Sequence, residues 1–147
     1  MEQILYGAPV AKQLDEISLK IFQEFKSNNK TPHMTAITVG DNPASLLYVS
    51  RKKEKAEELG VEFNWIKLDK NTSQEKLKEL VETESKNTDG LIIQLPLPDH
   101  LSSEDVINCI PPDVDVDGLT SYNLGRLFSN EYKLIPATSL AVLELLN

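Results

Sequence analysis

A chain of 147 residues, 40% hydrophobic and 26% charged, has the length of one ordinary domain with a real core and the composition of a globular protein. No apolar run approaches the roughly 18 residues of a membrane span, and MEQILYGAPVAKQ has no basic start ahead of an apolar stretch, so no secretory signal is expected. The net charge of −8 is uneven, with 12 Lys/Arg against 14 Asp/Glu over residues 1–85 and 3 against 9 over 86–147, which argues against the basic stripe of a nucleic-acid surface.

Pro9 suits the opening of a helix, and Val10, Leu14, Ile17, Ile21 and Phe25 follow at helical spacing up to the breaker KSNNK. HMTAITVG reads as a strand with Thr35, Ile37 and Val39 on one side. In GDNPAS, Asn42 is a fitting N-cap and Pro43 a fitting first residue of a second helix, which stops at Gly60. VEFNWIKL is the next strand; Val61, Phe63 and Trp65 alternate before Ile66 and Leu68 interrupt the pattern. TSQE at 72–75 predicts a capping box, Thr72 answered by Glu75, for a third helix with Leu77, Leu80 and Val81 on its apolar face. Asp89 and Gly90 turn into LIIQL, a short apolar run expected of a strand covered on both faces, ended by Pro96 and Pro98. Ser102 and Asp105 frame a short helix, IPPDVDVDG is a loop, and SYNLGRLF and ATSLAVLELLN are further helical segments. Strands alternating with helices predict an α/β fold with a mainly parallel sheet. The last helix runs apolar to Asn147 without a glycine stop or polar tail, which leads to the expectation of a second domain beyond it.

The second helix carries the first candidate site. At 100° per residue Ala44, Ser45, Tyr48, Val49, Lys52, Ala56 and Leu59 fall within one arc, so Lys52 is aimed where the helix should meet the protein. An ammonium taken out of water must be compensated, or else it favours its neutral form, the form able to accept a proton near neutral pH. Lys52 could instead lie along apolar surface with its head in water, and Tyr48 could be ordinary core. Gln94 sits near the C-terminal end of the buried strand, where open α/β sheets hold ligands; it could equally be satisfied by loop backbone. In DVDG at 115–118, one of Asp115 and Asp117 is expected to face the crevice, since alternating positions point opposite ways; Asp117 before Gly118 could also be a simple turn residue.

Other chemistries lack their residues. The glycines, at 7, 40, 60, 90, 118 and 125, form neither G-x-G-x-x-G nor a phosphate-binding loop. No G-x-S-x-G or Cys/His pair suggests a nucleophilic hydrolase. His33 and His100 have no ligands at metal spacing, so no metal site is expected. Cys109 stands alone, which leaves no internal disulfide and fits a reducing, cytoplasmic setting.

VGDNPASLLYVSRKKEKAEELGV, DGLIIQLPLPDHL and DVDGLTSYNLGRL together resemble the methylenetetrahydrofolate dehydrogenase/cyclohydrolase family, over nearly the whole chain but only the first half of a typical member. The resemblance implies a three-layer α/β fold like the N-terminal domain of the amino-acid dehydrogenases, with residues 1–147 as the folate-binding catalytic domain. The NADP-binding Rossmann domain would be absent from this chain. It implies a folate substrate in the cleft between the two domains, NADP for the full-length member, no metal, and a family homodimer formed largely by the absent domain. Tyr48 matches the tyrosine that stacks on the pterin side, and Lys52 the catalytic lysine of Y-x-x-x-K. Gln94 matches the glutamine of Q-L-P-L-P that contacts substrate and positions the lysine, Asp117 the aspartate that hydrogen-bonds the pterin, and Ser45 a supporting serine. Ile93 and Leu95 would line the site through backbone and side chain. Val114 stands where a Lys commonly precedes D-V-D-G, and Ala137 and Ser139 stand where P-C-T-P has Cys and Pro.

The implied reactions are hydride transfer from 5,10-methylenetetrahydrofolate to NADP and hydrolysis of the resulting methenyl cation to 10-formyltetrahydrofolate. Two other classes compete: a folate-binding module without chemistry, and a receiver-like signalling domain. The second needs an acidic cluster after an early strand, and Gly40-Asp41 supplies only one carboxylate there.

Overall fold

The computed structural model describes residues 4–146. In chain order the elements are α1 (Gly7–Ser27), β1 (His33–Val39), α2 (Pro43–Glu58), β2 (Glu62–Leu68), α3 (Gln74–Glu84), β3 (Gly90–Ile93), α4 (Ser103–Ile107), α5 (Ser121–Phe128) and α6 (Ala137–Leu146). The three strands form a parallel sheet in the order β2-β1-β3, with Ala36 opposite both Trp65 and Ile92. The α/β class and the parallel sheet read from the sequence are what the structure contains.

Both sheet faces are covered, which explains why the strands are apolar on both sides. Ile37, Val39, Leu91 and Ile93 pack with Leu77 and Val81 of α3 and Val106 of α4 in the larger core. Ala36 and Ile92 face α2 and meet Val49, with Met34, Phe63 and Trp65 around them. The "interruption" at Ile66 and Leu68 is the other face of β2: both pack against the larger core. Burial of Ile37, Leu77, Leu91 and Val81, which are fully enclosed, contributes about 1.5–3 kcal/mol for each large side chain.

Local signals fixed the helix starts with two corrections. Asn42 caps α2 as expected, its side-chain oxygen accepting from the Ala44 and Ser45 amides at 3.0 and 3.1 Å, and Gly60 ends it at φ +79°. The cap of α3 is Ser73 rather than Thr72: Ser73 Oγ accepts from the Lys76 amide, while Thr72 Oγ1 donates to the Asp69 carbonyl. Position N3 is therefore Lys76, and the reciprocal Glu of a capping box is missing; the structure uses the neighbouring hydroxyl because Thr72 is drawn inward into the turn after β2. The first helix begins at Gly7, so Pro9 lies within its first turn rather than opening it.

The apolar stripe of α1 does not enter the core. Leu14, Ile17, Ile21 and Phe25 are all exposed, and so are Leu140, Val142, Leu143 and Leu146 of α6, which lies against α1. No described helix is long and apolar enough to cross a membrane.

Candidate functional site

On the α2 side of the sheet, α2 packs over β1 and β2, with Gly90 and Ile92 of β3 beside it. There a mostly apolar cavity of about 660 Å³ is lined by Met34, Ile92 and Val116 and by Tyr48, Lys52 and Asp117. Three of the sequence-predicted residues thus meet in one place, although Ser45, Ile93, Gln94 and Leu95 do not line it.

Lys52 reaches the cavity from the middle of α2. Its Nζ lies 3.9 Å from Asp117 Oδ2, and the two side chains are 34% and 27% exposed. The expectation of a desolvated lysine is corrected here: a third of the side chain stays in water, beside the carboxylate that pairs with its ammonium. Tyr48, one turn earlier, is 59% exposed and presents its ring at the cavity instead of packing as core.

The two aspartates of DVDG divide their work as alternation predicts. Residue 115 pairs with Leu91 in a parallel bridge, and the Leu91 amide donates to the Val114 carbonyl at 2.7 Å, so the loop continues the sheet beyond β3. Asp115 is 1% exposed and turns inward. Its carboxylate accepts from the Leu119 amide (3.2 Å), the Thr120 amide (2.9 Å) and Asn123 Nδ2 (2.9 Å), which holds the start of α5. Asp117 is left to face the cavity. Burial pushes its carboxyl above the ordinary value, Lys52 opposes that shift, and the charge of Asp115 adds to it. Close approach of the loop to β3 requires glycine at 90: a Cβ there would lie 2.7 Å from Val116 Cγ1.

Gln94 and Ser45 belong to the neighbouring strand end. The Gln94 amide donates to the Ile37 carbonyl at 2.9 Å, extending the sheet by one residue. The Leu95 carbonyl accepts from both Gln94 Nε2 (2.9 Å) and Ser45 Oγ (3.3 Å), which ties the first turn of α2 to the end of β3. The expectation that Gln94 holds Lys52 is not met in this structure: the counter-group of Lys52 is Asp117, and Gln94 Oε1 is buried with no hydrogen-bond partner. Nor does the Ile93 side chain line the site. It points to the opposite face and packs in the larger core with Leu77 and Val81, as strand alternation requires. Leu95 takes part through its carbonyl, and its side chain is partly exposed.

The sequence reading missed Met34, Ile92 and Val116 as walls. Met34 and Ile92 were findable, since they share the strand face of Ala36, opposite to that of Ile37. Ala137, one of the departures from P-C-T-P, also borders the cavity, whereas Val114 packs against the larger core.

The family model for the tetrahydrofolate dehydrogenase/cyclohydrolase catalytic domain matches residues 5–117. The chain belongs to this family. Among relatives of the tetrahydrofolate dehydrogenase/cyclohydrolase family, the bifunctional protein FolD of Bacillus pumilus is 38% identical over 146 residues, covering 98% of this chain and 52% of its own length. A 5,10-methylenetetrahydrofolate dehydrogenase from the silkworm, Bombyx mori, superposes with a TM-score of 0.94 at 33% identity, over 99% of this chain and 51% of that one. The methylenetetrahydrofolate dehydrogenase-cyclohydrolase of Trypanosoma brucei, solved with NADP and an inhibitor, superposes with a TM-score of 0.89 at 28% identity, over 99% and 52%. The chain spans about half the length of the curated relatives it matches.

Proposed function

We propose that this chain is the folate-binding, catalytic part of a methylenetetrahydrofolate dehydrogenase/cyclohydrolase acting in cytoplasmic one-carbon metabolism, with residues 1–147 forming one domain. The observation that carries the reading is the Lys52–Asp117 pair beside the exposed Tyr48 ring at the mouth of an apolar cavity.

Each residue has a task that its position supports. A reduced pterin is a flat, amphipathic ring with a row of N–H donors along one edge. Asp117, anchored through the Asp115 turn, accepts from that edge, a charge-assisted contact that fixes the ring's orientation. Tyr48 offers its face to the ring or to the adjoining aromatic ring. Met34, Ile92 and Val116 exclude water from the ring's other side. In the hydrolytic step water adds to the methenyl carbon and releases one proton to solvent; the bond from that carbon to N5 then breaks as N5 gains a proton and the remaining hydroxyl loses its own, leaving the formyl group on N10. Lys52 Nζ, paired with Asp117, is a proton donor beside the cavity that can supply the proton to N5 and then take up the one the hydroxyl releases. Gln94 Oε1, an acceptor without a partner, is available to a donor that arrives with the ligand or to Lys52 after a change of rotamer.

The dehydrogenase step requires NADP, which accepts the hydride when bound. This chain's residues do not fit it. Among the described residues the glycines at positive φ (Gly40, Gly60 and Gly118) serve separate turns, and the start of α2 that follows Gly40 is already closed by Asn42. The proposal therefore assigns the cofactor to the part of the relatives' length that this chain does not span.

The test is calorimetric titration with 5,10-methenyltetrahydrofolate. Wild type should bind it, and Tyr48→Ala should weaken binding about tenfold while leaving stability within about 0.5 kcal/mol, as for an exposed side chain. Failure of the wild type to bind refutes the reading.

A further inference from the structure

The first helix turns its apolar stripe away from the protein. Leu14, Ile17, Ile21 and Phe25 are exposed, and no residue of α1 is buried. The side that faces inward carries the half-buried Asp15, Ser18 and Phe22, which share one helix face at i, i+3 and i+7. Apolar burial therefore contributes little to holding α1 in place, and polar contacts on the inner face weigh more than usual.

Two side chains on that face reach across. Asp15 Oδ2 accepts from Lys55 Nζ of α2 at 3.0 Å, and Glu58 Oε2, at 2.7 Å, steadies the same ammonium from one turn along α2. Two turns along α1 from Asp15, about 10 Å along its axis, Phe22 borders the cavity that Tyr48, Lys52 and Asp117 also line. Phe22, Pro32 and Asp89 border a second cavity as well, of about 590 Å³, with Phe25 and Lys30 on its far side. The Phe22 ring is thus a partition between two spaces, and its place depends on where α1 lies.

We infer that Asp15 is a positioning residue for the folate site: through Lys55 it sets α1 so that Phe22 closes one end of the cavity. The inference rests on the folate reading above. A wall already in place costs nothing to order when the ligand arrives, whereas a wall that must be drawn in at that moment lowers affinity. An exposed ion pair contributes little to global stability, so the effect belongs to binding and not to folding.

A double-mutant cycle on the whole chain tests this, with Asp15→Ala and Phe22→Ala titrated by calorimetry against 5,10-methenyltetrahydrofolate. Asp15→Ala should weaken binding about threefold, the size of one exposed ion pair, and Asp15→Glu should recover most of that loss. Alanine is the better helix former, so α1 keeps its helix and the urea midpoint should stay close to that of the wild type. Phe22→Ala should weaken binding about fivefold through the lost apolar wall. In the Phe22→Ala background, Asp15→Ala should change affinity by less than about 1.5-fold, because the group it positions is gone. Unchanged affinity in Asp15→Ala, no recovery by Asp15→Glu, or the full loss repeated in the Phe22→Ala background overturns the positioning role and leaves the folate reading standing. Absence of binding by the wild type, or equal binding by Asp117→Asn, overturns the folate reading and the positioning role together.

Discussion

Asp115→Asn isolates what holds the candidate site in shape. The wild-type carboxylate is almost fully enclosed and accepts three hydrogen bonds, from the amides of Leu119 and Thr120 and from Asn123 Nδ2. An asparagine keeps the volume and one acceptor oxygen. If that oxygen serves Thr120 and Asn123, the new NH₂ group confronts the Leu119 amide, so one bond is lost and two donors face each other. Hydrogen bonds to a charged group contribute about 1.5–3 kcal/mol, and a buried donor left unpaired costs about 1–3 kcal/mol. The net destabilisation expected is about 2–4 kcal/mol, or a fall in Tm of roughly 4–16 °C for a domain of this size. Urea unfolding followed by circular dichroism measures it, and an unchanged slope with a lower midpoint would place the loss in the native contacts. Because Asp117 follows two residues later, folate affinity should fall in parallel under conditions where the variant is still folded. A loss below about 1 kcal/mol, or a full loss with folate affinity intact, would refute the assignment of Asp115 as the clamp on this loop.

Asp117→Asn should behave oppositely. A carboxyl whose folded pKa is raised favours folding below its unfolded value near 3.8 and loses that contribution as pH rises through the folded value. The asparagine cannot ionise, so its stability relative to wild type should climb between pH 4 and 7 while its folate affinity drops; a stability difference that does not change with pH contradicts the burial argument. Gly90→Ala puts a methyl 2.7 Å from Val116 Cγ1 and must displace the loop carrying Asp117. Folate binding should weaken in that variant, and Val116→Ala added to it should restore binding; failure of the double variant to recover would mean that the loop position is not what matters.

The helices and strands were legible because each signal was local, and their alternation implied the parallel sheet. Asn42-Pro43 wrote its own cap, Gly60 its own stop, and the apolar runs of β1 and β3 announced a sheet covered twice. Three cavity-lining residues were legible too, since Tyr48 and Lys52 share a helix face, alternation puts one of Asp115 and Asp117 towards the crevice, and the family resemblance points to Asp117. What was not legible depends on contacts between distant segments. Periodicity marked the stripe Leu14, Ile17, Ile21 and Phe25 as apolar, yet it carries no information about what covers it, and among the described residues it is exposed. The same limit applies to Lys52, whose place on an apolar arc did not reveal that a third of its side chain stays in water. Gln94 was expected beside Lys52 because both bordered one crevice; a nearer acceptor, the Leu95 carbonyl, takes its amide instead.

The most direct test of the central claim is hydrolysis of 5,10-methenyltetrahydrofolate, followed by loss of its absorbance, with this 147-residue chain beside Lys52→Met. The account predicts turnover by the wild type and none by the variant, which removes the proton carrier and should still fold and bind the ligand. Equal rates in the two proteins, or no turnover by a wild type that binds, would contradict the claim that Lys52 and its neighbours on this chain carry the hydrolytic step.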